Sequence, residues 1–295
     1  MSHSNSLEFK LIWETRGPGK HLLEGPAYSS DKNLVFFTDL FQRKIYSFTP
    51  TDPRPEPKCV FIFEENFCNG MQIDSNGNLV VCLWGGLPFP QGSVGELQFA
   101  DNGTLELHPR VSTGDGNRKL QHPNDLGIDE EGGIYFSDLR AGKVYYHPQN
   151  APHAVSCFSK AFSKPNGIEI GWSDGRAQIL YVAESGRSKV RKFEIVSPGK
   201  IGNELSCHSF KCCRAVDGLA LAPDGNLYVA EEKQVIGLSP DFKEIAHGSL
   251  GRKITPSNIC FVDSQTLVVT SYRSYFFPRK AELFIGKVPT QPPRP

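Results

Sequence analysis

QHPNDLGIDEEGGIYFSDLR (residues 121–140) holds two short runs, around Leu126/Ile128 and Ile134/Phe136, in which apolar side chains recur at every second position. An acidic, glycine-containing turn separates them. A period of two marks a strand with one face buried, so the stretch reads as a β-hairpin. An amide and a carboxylate, Asn124 and Asp125, stand at the threshold of its first strand. Such a pair either makes a turn or supplies oxygens where something needs them.

Five other stretches have the same form: EGPAYSSDKNLVFFTDL (24–40), NGMQIDSNGNLVVCLWG (69–85), NGIEIGWSDGRAQILYVAES (166–185), DGLALAPDGNLYVAEE (217–232) and SNICFVDSQTLVVTSY (257–272). Taking Glu24, Asn69, Asn124, Asn166, Asp217 and Asn258 as the threshold positions, successive units lie 41 to 55 residues apart. Repeats of about 40–50 residues suit a four-stranded propeller blade. Six units predict an all-β fold, a six-bladed β-propeller with a central channel, as a single domain over residues 1–295. The 28 glycines and 22 prolines interrupt the chain too often for long helices. LEFKLIWE (7–14) precedes the first unit as a lone strand and is expected to complete the last blade, which ends in AELFIGKV (281–288). Pairing the two chain ends would leave no open sheet edge at that point. The proline-rich PTQPPRP (289–295) reads as a loose tail.

Lys and Arg together number 32, as do Asp and Glu, so no global field draws the chain to nucleic acid or an anionic membrane. That balance leaves a small molecule or another protein as the expected partner, and a closed propeller with no extra arm is expected to be a monomer. MSHSNSLEFK at the N-terminus lacks the pattern of a secretory signal, and no run approaches the roughly 18 apolar residues that span a bilayer. These features predict a soluble, cytoplasmic protein with no membrane role. Eight cysteines, several inside apolar runs such as LVVCLW (79–84), read as free thiols rather than as a disulfide framework. GWSDG (171–175) matches the G-x-S-x-G of serine hydrolases, but it falls at the hairpin position between two strands and not at a strand-to-helix turn.

Asn76-Gly77 and Asp224-Gly225 lie between two apolar runs, where a hairpin turn belongs, whereas Asn69-Gly70, Asn166-Gly167 and Asp217-Gly218 lie before the first run. In a propeller the innermost strands line the channel, so the threshold residues converge on one mouth of it. Glu24 and Asp217 would then be carboxylates at close quarters, and two such charges ~4 Å apart repel by roughly 4 kcal/mol at an effective dielectric of about 20. Either one takes a proton or a cation sits between them. With Asn124 and Asn166 adding neutral oxygens, the donor set suits a hard divalent ion; the alternative is a polar channel plugged by water.

The chain also resembles the family of senescence marker protein (regucalcin), gluconolactonases and diisopropyl fluorophosphatase, nearest to the gluconolactonase branch. The resemblance spans essentially the whole chain and is carried by LLEGPAYSS (22–30), KLQHPNDLGIDEEGGIYFSD (119–138), KPNGIEI with ILYVAES (164–170, 179–185) and AVDGLALAPDGNLYVAEE (215–232). It implies a six-bladed propeller with one divalent cation at the channel mouth, calcium first, with zinc, magnesium or manganese as alternatives. The family's E-G-P glutamate matches Glu24, its P-N-G asparagine Asn166 and its D-G aspartate Asp217, which become the implied metal ligands. Its N-D asparagine matches Asn124, which either completes the metal shell or contacts substrate.

The implied activity is opening of aldonolactones by metal-activated water, with Asp217 as the base. A phosphotriesterase of the fluorophosphatase kind and a non-catalytic binding propeller are the alternatives. Trp84 in WGGLPFPQGS (84–93), with Tyr272 and Arg273 in SYRSYFFPR (271–279), are candidates for the pocket wall. Two departures from the family pattern stand out. Ala220 occupies the place of an acidic ligand to a second, structural calcium, and VTSYRSYFF (269–277) has no counterpart of a channel histidine found in phosphatase-type relatives.

Overall fold

A computed structural model describes residues 5–85, 91–100, 102–211, 215–273 and 280–288. Six four-stranded antiparallel sheets follow one another along the chain as the blades of a β-propeller. Their first strands are Leu23–Ser29, Phe67–Ile73, Pro123–Ile128, Pro165–Ser173, Val216–Leu221 and Ile254–Phe261, which define blades 1 to 6. Each of these strands touches the first strand of the next blade, and blade 6 touches blade 1, so they form a closed inner ring.

Why the sheets stack in this way is visible in their burial. Second strands such as LVFFTD (Leu34–Asp39) and LVVCLW (Leu79–Trp84) are apolar on both faces and buried almost throughout. A sheet with two apolar faces needs a neighbour on each side. The core accordingly divides into six clusters, one at each seam between neighbouring blades. At the seam of blades 3 and 4, for instance, Tyr135 and Val144 pack with Ile168, Leu180 and Phe193.

The ring closes through the chain ends. Glu8–Glu14 pairs antiparallel with Glu282–Lys287 and supplies the fourth strand of blade 6, with Glu8 opposite Lys287 and Glu14 opposite Glu282. A further contact was not foreseen from the sequence. Asn5–Ser6 adds a parallel fifth strand to blade 5, opposite Ala246 and His247, and the Leu7 N–H donates to the His247 carbonyl at 2.9 Å. One short segment therefore straps two adjacent blades together.

Hydroxyl groups latch the inner ends of the blades. Thr38 donates to the Asn69 carbonyl at 3.1 Å, Ser137 to the Asn166 carbonyl at 2.6 Å and Ser257 to the Leu23 carbonyl at 2.5 Å. Each bond runs from one blade to the next. The carboxylates that end the second strands fold the chain back over the thresholds. Asp138 accepts from the N–H groups of Gln121 (2.7 Å), His122 (3.0 Å) and Ala141 (3.0 Å), and Glu184 accepts from the Ser163 N–H at 2.7 Å.

The candidate nucleophile elbow is a plain hairpin turn. Ser173 ends one strand and Arg176 begins the next, with Asp174 and Gly175 between them at φ of 51° and 72°. The six cysteines among the described residues are free thiols, while Cys212 and Cys213 lie outside them. No helix among the described residues is long and apolar enough to cross a membrane. The tail at 289–295 also lies outside the described residues.

Removing residues 1–14 would strip blade 6 of its outer strand and uncover the buried face behind Leu7 and Trp13. The expected outcome is a fall in Tm on the order of 10 °C or more, or loss of a single cooperative transition. A scanning calorimetry trace unchanged by the deletion would contradict this account of ring closure.

Candidate metal centre

The threshold residues occupy equivalent places because every first strand carries the same irregularity. Pairing jumps from Pro123/Asp138 to Leu126/Phe136 in blade 3, from Pro165/Glu184 to Ile168/Val182 in blade 4 and from Val216/Glu231 to Leu219/Val229 in blade 5. Two residues of the first strand thus face one of the second, a bulge that turns their polar groups toward the axis. Blade 6 jumps from Pro256/Ser271 to Asn258/Thr270, leaving Ser257 as the extra residue. Its threshold residue is therefore Ser257, one place earlier than the sequence reading assigned, and Asn258 falls at the next position.

That next position shows how tightly the axis is filled. It holds Gly25, Gly70, Gly167 and Gly218 in four blades, Asp125 in blade 3 and Asn258 in blade 6. A Cβ on Gly218 would stand 2.0 Å from Asn258 Oδ1, and one on Gly70 would stand 2.4 Å from Asp125 Oδ1. Gly70 and Gly218 make room for these two polar side chains, which come from opposite sides of a six-membered ring, while Gly25 and Gly167 lie against the backbone of the next blade. The acceptor atoms of those two are fixed by backbone donors. Asp125 Oδ1 accepts from Leu126 N–H at 3.0 Å and Oδ2 from Ile168 N–H at 3.2 Å, while Asn258 Oδ1 accepts from Ile259 N–H at 2.8 Å.

Above this floor stand the predicted residues. Glu24 and Asn124 are each 6% exposed and Asn166 8%, while Asp217 retains partial solvent access with its carboxyl closely surrounded. Burial, then the charges of Asp217 and Asp125, hold the Glu24 carboxyl well above the usual carboxylate range, against the opposing pull of the Gly25 N–H and the Asn258 amide. Burial and then Asp125 push Asp217 up to about 8, with the facing Asn166 amide working the other way. Asp125, raised by burial to about 7, is pulled down by the two N–H donors and by Asn258. Three carboxyls therefore crowd one another, and the charged neighbour acting on Asp217 is another acid. The sequence points to two acids at the mouth, Glu24 and Asp217; the structure adds a third, Asp125.

The donor set fits a hard cation. All the groups that meet here present oxygen, and the carboxyls resist ionising because no positive charge compensates them. Among the described residues no three His, Cys, Asp or Glu side chains form a ready metal cluster, so an ion here would draw on the amide oxygens of Asn166 and Asn124 as well as on Glu24 and Asp217. On the far side of the floor, a cavity of about 270 Å³ is lined by Asp125, Asn258 and Glu169. Burial raises Glu169 to about 7 although N–H groups of Ile170 and Leu221 hold its oxygens.

The three candidates for the pocket wall have different placements. The Trp84 ring stacks on His122, centroids 4.8 Å apart and 7° from parallel, two residues before Asn124; positions 86–90 of its loop, Phe89 included, lie outside the described residues. Burial keeps the His122 imidazole below its ordinary pKa, so it meets Trp84 as a neutral ring at neutral pH. Arg273 gives its guanidinium to the buried Glu282 at 2.5 and 3.0 Å. Tyr272 is placed elsewhere: it is 6% exposed and packs with Leu23, Val35 and Phe37 in the seam between blades 6 and 1, because alternate residues of its strand face opposite ways.

An acid whose pKa is raised by folding holds its proton more tightly in the folded than in the unfolded chain, so stability falls as pH rises through that window. For Asp217 the window runs from its ordinary 3.8 to about 8. Cation-free protein should lose Tm between pH 5 and pH 8, calcium should restore it most at the upper end, and Asp217→Asn should flatten the cation-free profile. Fluorimetric melts with chelator would show this; a Tm that stays level or climbs across the interval contradicts the electrostatic picture.

Comparison with known proteins agrees with this architecture. Residues 24–273 match the family described as SMP-30/Gluconolactonase/LRE-like region. A gluconolactonase of Zymomonas mobilis is 22% identical over 282 residues, covering 84% of this chain and 75% of that protein. Lactonase drp35 of Staphylococcus aureus is 24% identical over 217 residues, 70% of this chain and 63% of the lactonase's own length. Among solved structures, a calcium-binding protein, regucalcin, of Agrobacterium tumefaciens superposes with a TM-score of 0.70 at 16% identity, over 99% of both chains, and so shares the fold. With its repeat, its ring of thresholds and a family match over most of its length, this chain belongs to the SMP-30/gluconolactonase/LRE-like family.

Proposed function

We propose that the protein hydrolyses sugar (aldono-) lactones with the help of one divalent cation, calcium foremost, held at the channel mouth. The observation that carries this reading is the crowding of Glu24, Asp217 and Asp125, each with a carboxyl displaced upward in pKa. A scaffold has no use for buried acids that repel one another. The named relatives, a gluconolactonase and a lactonase, support the substrate class.

Glu24, Asn166 and Asp217 would hold the ion, with Asn124 beside them. When bound, the cation would supply Lewis-acid polarisation of the lactone carbonyl and of water. Asp217, the most accessible of the acids, takes the proton of the attacking water, and its partial solvent access lets that proton leave. Asn124, on the strand whose loop is pinned by Asp138, orients the ring and donates to the oxygen on which charge develops. Glu24 serves as ligand alone, set by Gly25 and Asn258. Trp84 and His122 present a flat, uncharged wall to the sugar ring at one side of the mouth.

Hydrolysis of D-glucono-1,5-lactone should vanish on chelation and return with one ion. Asp217→Asn should lower kcat by about 10²–10⁴-fold, the usual range for loss of a general base, while leaving the fold intact. A pH-indicator assay over aldonolactones and phosphotriesters measures both. Activity of Asp217→Asn within a factor of two of the parent would remove its role as base. Turnover of phosphotriesters alone would move the assignment to that class, and no turnover with any ion would leave a binding propeller.

A further inference from the structure

A cavity of about 720 Å³ lies away from the channel. It lies on the seam where the ring closes, between Lys10–Arg16 of the strand completing blade 6 and the Pro53–Pro57 connection of blade 1. None of the residues assigned to the metal centre lines it. Cavities of roughly 300–1,000 Å³ suit small organic ligands.

Its apolar side is aromatic. Trp13 and Tyr46, both half-buried, have ring centroids 5.6 Å apart, and Phe37 stacks behind Tyr46 at 5.6 Å and 16°. Pro55 and Pro57 add rigid apolar surface. Tilted 49° to each other and braced by Phe37, the two rings are preorganised to receive a third.

Its polar side is cationic and incomplete. His21 is 5% exposed and lines the cavity, with Nδ1 held on Asp39 Oδ2 at 2.6 Å. Its Nε2 is buried and makes no well-formed hydrogen bond, although the Gly17 backbone is near enough to favour the protonated ring. A buried polar group left without a good partner is destabilising and is relieved by a ligand that supplies one. The ion pair with Asp39 raises the His21 pKa, which favours a ring that carries a proton on both nitrogens. Glu14 is committed to Lys280 at 2.6 Å, whereas Lys10, Arg16 and Arg54 have no ion pair among the described residues. Glu56 is then the one lining carboxylate without a partner to set against three cations.

We infer that this cavity is a second ligand site, separate from the channel, for a small aromatic carboxylate. The aromatic ring lies against Trp13 and Tyr46, and the carboxylate is received by His21 Nε2 together with Arg16 and Arg54. A neutral ligand would leave both the imidazole and the guanidinium groups unanswered, and a simple aliphatic acid would leave the rings uncovered.

Titration calorimetry on the full chain, with indole-3-acetate as the probe and indole-3-acetamide and acetate as controls, tests the assignment. Indole-3-acetate should bind at least tenfold more tightly than either control, with or without chelator. Because His21→Ala would strand Asp39 and endanger folding, the decisive variant is Arg16→Ala combined with Arg54→Ala, both exposed positions. It should weaken binding of indole-3-acetate at least tenfold at unchanged Tm, and Trp13→Phe should abolish the accompanying change in tryptophan fluorescence. The inference is overturned if indole-3-acetate and its amide bind equally, if neither binds, or if binding survives the arginine changes and is lost in Glu24→Gln, which would put the ligand in the channel.

Discussion

Every blade of this protein has two apolar faces, and no arrangement short of a closed ring covers both faces of all six. That constraint organises the rest. It places one hydrophobic cluster at each seam, draws the first strands together around an axis and requires the two ends of the chain to meet in blade 6. The hydroxyl latches and second-strand carboxylates are refinements of the same geometry, since they fix the inner ends of blades that burial has already brought side by side. Burial supplies the driving force, and the polar bonds set the register.

Closing the ring also concentrates charge. Each threshold residue is unremarkable within its own hairpin, but six of them share one mouth, and the bulge common to the first strands aims their side chains inward. Desolvation and mutual repulsion then do together what neither does alone: they make a group of ordinary acids hard to ionise. Gly70 and Gly218 at the next position matter as much as the acids, because they clear the space that Asp125 and Asn258 fill. Asp125 and Asn258, fixed by backbone N–H groups, form a polar floor between the threshold residues and the lower cavity that the two of them line.

Much of this was legible in the sequence, for a physical reason. The first two strands of each blade carry both the alternating pattern and the threshold dipeptide, so the repeat, the blade number and the identity of Glu24, Asn124, Asn166 and Asp217 could be read from local signals. The outer strands could not. Val155–Ser156 and Leu105–Val111 carry little pattern because one side faces water. The slip at Asn258 arose because Ser-Asn and Asn-Gly look alike until the bulge fixes which residue faces which. Tyr272 was misplaced for want of parity: its neighbours Ser271 and Arg273 reach toward Glu282, so the residue between them must face the other way. Asp125 was undervalued because its effect depends on Glu24 and Asp217, which lie 101 and 92 positions away along the chain. The cavity on the closing seam had no local signal at all, being built from segments that meet only after the ring is complete.

The double attachment of residues 5–14 has a consequence for how the molecule comes to exist. On the ribosome these residues emerge ahead of blades 1 to 4, yet their partners at Glu244–Gly248 and Glu282–Lys287 emerge only after those blades. Blades 1 to 4 can assemble in order from contacts that are near in sequence, while the amphipathic leading strand waits through most of translation with its apolar side uncovered. The same strap that later locks blades 5 and 6 is thus the segment most exposed to wrong partners during synthesis. Lys10 and Glu14 flank the apolar run Leu11, Ile12 and Trp13, so charge stands at both ends of it, which tempers that exposure until the final blade arrives.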